Sequence, residues 1–142
     1  MKKEFDTTTQ EYVEIIYELQ QLNKVARVKD IARKRGVTLS SVSTALNVLR
    51  DKKLIRHESY GLVELTDRGF SLGASLEKKH KTLKNFFTEI LGVKDSVAED
   101  NACTFEHYVN PEILDSLVDF IAFFEKNPAW LEKYNKFKQI TE

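Results

Sequence analysis

Val28-Lys29-Asp30-Ile31-Ala32-Arg33-Lys34-Arg35-Gly36-Val37-Thr38-Leu39-Ser40-Ser41-Val42-Ser43-Thr44-Ala45-Leu46-Asn47-Val48-Leu49-Arg50-Asp51-Lys52 holds two stretches of helical periodicity parted by a single glycine. In the first, residues 28–35, Val28, Ile31 and Ala32 fall on one face, and small Ala32 lets a second helix cross closely. Gly36 ends it, because glycine enters the left-handed conformation of a helix terminus without strain. The second, residues 40–52, turns Val42, Ala45, Leu46 and Leu49 inward and leaves Ser40, Ser41, Ser43, Thr44 and Asn47 on the open side. Two short helices joined by a tight turn, the second lined with short hydrogen-bonding side chains, form a helix-turn-helix suited to phosphates and base edges.

Reading outward, residues 54–57 and 62–65 alternate as strands around the polar turn Glu58-Ser59-Tyr60-Gly61, which adds a wing with Arg56, His57 and Tyr60 near it. Upstream, a helix over residues 9–23 is expected. Thr8 and Glu11 have the spacing of a capping box, followed by Tyr12, Ile15, Ile16 and Leu19 at helical intervals. Lys24-Val25-Ala26 reads as a plain connection.

The net charge of zero conceals an asymmetry. Residues 21–71 carry 11 Lys and Arg against 5 Asp and Glu, whereas residues 72–142 carry 9 against 12. The first part suits a polyanion and the second does not. No apolar run approaches the roughly 20 residues of a membrane span, and the polar start lacks a signal core, so a cytoplasmic protein without membrane contact is expected. The single cysteine excludes an internal disulfide framework. Cys103 is therefore a small hydrophobe, a metal ligand or a reactive thiol.

The remainder reads as helical. Thr66 can cap a long helix over residues 67–91 that presents His80 and stops at Gly92, and a helix over 96–109 follows. Asn110-Pro111 opens another helix running to Lys126, and Asn127-Pro128 separates it from a short last one. Seven of the nine phenylalanines, residues 86, 87, 105, 120, 123, 124 and 137, lie in this half. The helix after Pro111 is apolar on more than one face, which predicts a homodimer interface. The expected fold class is mainly α with a small β-hairpin wing, divided into a winged helix-turn-helix domain over 1–71 and a helical domain over 72–142.

Cys103-Thr104-Phe105-Glu106-His107 places a thiol, a carboxylate and an imidazole at i, i+3 and i+4, on one face of the expected helix over 96–109, where they can close on one divalent cation. Glu11 either completes the capping box or serves as a ligand. His80 by itself reads as a surface histidine.

The order of winged helix-turn-helix, long helix and Cys-x-x-Glu-His resembles the metal-dependent repressors that include the diphtheria toxin repressor and the manganese transport regulator. The resemblance rests on Thr7-Thr8 with Glu11-Tyr12, Ile16-Tyr17, Asp30-Ile31-Ala32, Ser41-Val42-Ser43, Leu65-Thr66 with Gly69, His80, and Ala102-Cys103 with Glu106-His107. It covers nearly the whole chain, which ends where the short, two-domain members do. It implies a dimeric repressor that binds palindromic double-stranded operator DNA when Fe²⁺ or Mn²⁺ lies between its domains, controlling metal-ion uptake genes. By position the ligands are Cys103, Glu106 and His107, with Glu11, Glu14 and His80. Cys103 is the iron-type choice, whereas Glu11, Glu14 and His80 match the manganese type. The thiol stands where the manganese type has a bridging carboxylate, which leaves His80, Glu14 and Glu99 for a second ion. Thiolate softness favours Fe²⁺ over Mn²⁺, with Zn²⁺, Co²⁺ and Ni²⁺ able to bind in vitro.

Thr38, Ser40, Ser41, Ser43, Thr44 and Asn47 are the expected DNA contacts, with Lys34, Arg35 and Arg56 as phosphate partners. Leu39 stands where the manganese type has proline. The alternative is a metal-independent winged-helix regulator that senses a small molecule or oxidation of Cys103. An enzyme is not expected, since no acid and base flank an open water site.

Overall fold

In the computed structural model of the protein, residues 4–57 and 61–141 are described. The wing-tip residues Glu58, Ser59 and Tyr60, the side chain of His57 and the polar start at 1–3 lie outside them.

Helix α1 spans Thr7–Asn23, two residues earlier than expected, because its cap is Asp6 rather than Thr8. The Asp6 carboxylate accepts the Thr9 amide hydrogen bond at 2.7 Å, satisfying one of the orphan donors of the first turn. Tyr12, Val13, Ile16, Tyr17 and Leu19 are buried along α1. The helix closes at Lys24, whose left-handed φ of 63° returns its amide to the Gln20 carbonyl.

The supposed connection after Lys24 contains a strand. β1, Ala26–Arg27, pairs antiparallel with β3, Leu62–Leu65, which pairs on its other edge with β2, Ile55–His57. The sheet order is β1-β3-β2. Two residues are too few for an alternation to show in sequence; the edge of β3 makes Ala26 and Arg27 a strand. Helices α2, Val28–Arg35, and α3, Leu39–Asp51, pack in the expected way, with Ile31, Val42, Leu46 and Leu49 buried. Gly36 is left-handed at φ 72°.

Helix α4, Asp67–Asn85, starts as predicted. The Thr66 hydroxyl donates to the Lys53 carbonyl at 2.7 Å and accepts from the Gly69 amide at 3.1 Å. Gly69 lies so close to β2's approach that a Cβ there would sit 2.0 Å from the Leu54 carbonyl oxygen. The chain divides into two compact units between Glu77 and Lys78, within α4, as does the boundary expected after residue 71.

In the second unit α4 does not run on regularly to residue 91. Its end widens into a π-helical turn, Phe86–Ile90, before Gly92 turns the chain at φ 68°. Helix α5 spans Asp95–Phe105 and not the expected 96–109, because the backbone turns through 106–109 towards the extended Asn110 that caps α6. Helices α6, Pro111–Lys126, and α7, Pro128–Thr141, follow. Leu83, Ile90, Ala98, Ala102, Leu114 and Ile121 are buried, yet Ile113, Phe120, Phe123, Trp130 and Phe137 remain exposed. No described helix is long and apolar enough to cross a membrane.

Candidate metal centre and nucleic-acid interface

The start of α3 is built by its own hydroxyls. Thr38 is the N-cap, and its Oγ1 accepts from the Ser41 amide at 3.1 Å and lies 3.0 Å from the Ser41 Oγ. Thr44 donates to the Ser40 carbonyl at 3.1 Å. Thr38, Ser40, Ser41, Ser43, Thr44 and Asn47 are all exposed, as is Leu39 at the helix start, so the expected contact residues share an accessible helix. Arg56 is exposed on β2. The other two basic candidates are engaged internally: Lys34 pairs with Glu18, and Arg35 Nη2 lies 2.6 Å from Glu11 Oε2 while stacking over Tyr12. Glu11 thus serves neither the expected capping box nor, in this state, anything but Arg35 among the described contacts. Glu14 is half-buried on α1.

In the second unit a polar cluster forms around His80 of α4. Its Nδ1 is 2.8 Å from Glu106 Oε2, and its Nε2 is 3.0 Å from Glu99 Oε1. Cys103 Sγ lies 3.8 Å from His80 Nδ1 and 4.0 Å from Glu99 Oε1. Glu106 has no solvent exposure, and His107, 6% exposed, brings Nε2 to 3.5 Å from Glu106 Oε1. The hydrogen bond to Glu106, reinforced by attraction to both carboxylates, raises the His80 pKa above its ordinary 6.5 against the cost of burial. The imidazole of His80 thus stands between two carboxylates that favour its protonated form. Glu99 in turn is held below the usual carboxylate range, first by its hydrogen bond from Lys84, whose Nζ is 3.0 Å from Glu99 Oε2 and 3.3 Å from Asp95 Oδ1.

Sequence spacing put Cys103, Glu106 and His107 on one helical face. Because α5 ends at Phe105, they diverge: Cys103 is exposed, whereas Glu106 and His107 turn inward. Donor atoms of His80, Glu99 and Cys103 lie within 4.8 Å of one another, so Glu99 is closer to the thiol than the motif suggests. The stripe Asp95, Glu99 and Cys103 at i, i+4 and i+8 was its legible signal. Nothing in the motif pointed to Lys84.

Glu106 Oε1 is buried without a hydrogen-bond partner among the described residues. An unsatisfied buried carboxylate oxygen is costly, and a cation is the partner that removes the cost. The His107 imidazole stands beside it, and carboxylate and imidazole donors suit a first-row divalent ion.

Comparison with known proteins agrees with this arrangement. Residues 4–63 match the iron dependent repressor N-terminal DNA binding domain, and residues 66–134 match the iron dependent repressor metal binding and dimerisation domain. The HTH-type transcriptional regulator MntR of Listeria welshimeri is 32% identical over 123 residues, 87% of this chain and 86% of its own. An HTH-type transcriptional regulator of Methanocaldococcus jannaschii is 29% identical over 117 residues, 82% and 94% of the two chains. Among solved structures, the manganese regulator SloR superposes with a TM-score of 0.72 at 26% identity, covering 84% of this chain and 55% of that one. A manganese-dependent transcriptional repressor in complex with manganese gives 0.73 at 26%, covering 81% and 53%. The chain thus spans about half the length of these solved relatives. With a winged helix-turn-helix in one unit and a buried carboxylate beside two histidines in the other, the chain belongs to the iron-dependent repressor family, whose members are metal-dependent transcriptional regulators and not enzymes.

Proposed function

We propose that this protein represses transcription in the cytoplasm as a homodimer that binds a palindromic operator when loaded with Fe²⁺, or with Mn²⁺, and that it controls metal-ion uptake genes. The observation that carries the reading is the buried, unsatisfied Oε1 of Glu106 beside the imidazole of His107. Cys103, Glu106, His107 and His80 would hold the ion, with Glu11 and Glu14 of α1 as the donors from the DNA-binding part. A divalent cation supplies the positive charge that buried carboxylates lack. The chain's own residues do the rest. His80 would serve as a neutral imidazole ligand, Glu11 would serve the ion in place of Arg35, and Arg35 would then be open to a phosphate. Thiolate from Cys103 supports the lean to Fe²⁺. The exposed apolar residues of α6 and α7 support dimerisation, which would place two copies of α3 on half-sites about 34 Å apart. Preferential binding of the ion to the competent arrangement shifts the population towards it, and operator DNA tightens ion binding equally.

Anaerobic titration of the ion-free protein with Fe²⁺, Mn²⁺ and Zn²⁺, read by fluorescence anisotropy of labelled promoter DNA, tests this. Tight binding only with metal is expected. Equal binding in a strong chelator would favour the small-molecule or thiol-oxidation reading instead.

A further inference from the structure

Glu99 has each carboxylate oxygen on a different cation-bearing side chain: Oε1 on His80 Nε2 and Oε2 on Lys84 Nζ, both at 3.0 Å. Lys84 is also fixed from a second side by Asp95, one helical turn before Glu99 on α5, at 3.3 Å. It emerges from α4 one turn beyond His80, so its ammonium and the imidazole both reach Glu99. The donors of His80, Glu99 and Cys103 converge closely enough for a divalent ion, and His80 also reaches Glu106, whose other oxygen faces His107. We propose that Lys84 is a built-in monovalent cation that occupies the electrostatic place of a second metal and keeps the centre at one tightly held ion per chain.

The proposal rests on the metal-dependent reading above and concerns how many ions that centre takes. An ion held by Glu99 Oε1 would face the Lys84 charge across a single carboxylate. Like charges of +2 and +1 at roughly 5 Å repel strongly enough, even at the dielectric constant of water, to weaken binding by at least about tenfold. Glu99 is also the one carboxylate in the His80, Glu99 and Cys103 trio, and Lys84 has already neutralised it. The charge that would attract a second ion is spent inside the protein.

Equilibrium dialysis against Mn²⁺, with bound ion counted by mass spectrometry and its coupling followed by electron paramagnetic resonance, compares the unaltered chain with Lys84→Met and Lys84→Arg. Circular dichroism checks that each is folded. The unaltered chain and Lys84→Arg should bind one ion tightly and a second at least tenfold more weakly. Lys84→Met, similar in length but uncharged, should gain a second tight equivalent with the line broadening of two neighbouring Mn²⁺ ions. Two equal sites in the unaltered chain, or one site in Lys84→Met, would overturn the proposal while leaving the metal-dependent reading standing. An unaltered chain that binds no ion would overturn both.

Discussion

His80 Nδ1 lies 2.8 Å from Oε2 of Glu106, a carboxylate with no solvent exposure whose other oxygen lacks a hydrogen bond among the described residues. Replacing that carboxylate by an amide keeps shape and removes the charge that a cation needs. Glu106→Gln should therefore weaken Fe²⁺ or Mn²⁺ binding by at least about a hundredfold, more than the loss of an outer-shell partner, and abolish metal-dependent operator binding. Calorimetric titration that found affinity within threefold of the unaltered protein would remove Glu106 from the ligand set.

Asp6 supplies the pH dependence. Its hydrogen bond from the Thr9 amide, aided by Lys52, lowers its pKa below the ordinary 3.8. Its stabilising contribution is complete above pH 3.8 and disappears as pH falls through the lower folded value. Asp6→Asn retains a capping oxygen but cannot titrate. Urea unfolding between pH 2 and 6 should show a shallower acid loss of stability in Asp6→Asn than in the unaltered protein; parallel curves would mean that the cap contributes none of it.

Gly69 and Gly73 let α4 approach the first unit's core. A Cβ at Gly73 would stand 2.7 Å from the Tyr17 ring, and one at Gly69 would meet the Leu54 carbonyl oxygen. In an open helix glycine to alanine gains about 1 kcal/mol. Here overpacking should reverse the sign, and each alanine should cost about 1–3 kcal/mol net in denaturant unfolding. A stabilised Gly69→Ala protein would contradict the packing described.

On the DNA side, two substitutions should behave differently. With Arg56 as the proposed phosphate partner, Arg56→Ala should weaken binding to all sequences and make the salt slope shallower by about one. With Asn47 proposed to read a base edge, Asn47→Ala should cost about 1–3 kcal/mol on the operator with little effect on unrelated DNA. Equal losses on both DNAs for Asn47→Ala would place it on the backbone.

Ile113 and Phe120 sit seven residues apart on one face of α6 and are both exposed. The paired change Ile113→Glu and Phe120→Glu should yield a monomer by light scattering at micromolar concentration, with helix content retained and operator affinity lost. A dimer that survives both charges would move the interface off this face.

The elements whose signals are local were legible residue by residue. Gly36, Gly92 and the Asn110-Pro111 start act through backbone preference, and α2, α3 and the strands Ile55–His57 and Leu62–Leu65 carry periodicity long enough to read. Where two local signals competed, the reading slipped. Asp6 and Thr8 are both good caps by residue type, and in the fold it is Asp6 that accepts the Thr9 amide. β1 has no local signal at all, since its two residues become a strand by pairing with residues 37 and 35 positions away.

The candidate centre divides in the same way. Residue types and their order, a lone thiol followed by a carboxylate and an imidazole, were enough to single out Cys103, Glu106 and His107, because ligand chemistry is a property of the side chains themselves. The end of α5 at Phe105, the inward turn of Glu106, and the joining of His80 to Glu99 and of Glu99 to Lys84 arise between residues 15–26 apart, and Glu11 was drawn to Arg35 across two helices. Sequence spacing says which groups are present; desolvation and charge pairing, which depend on distances through space, decide which of them meet.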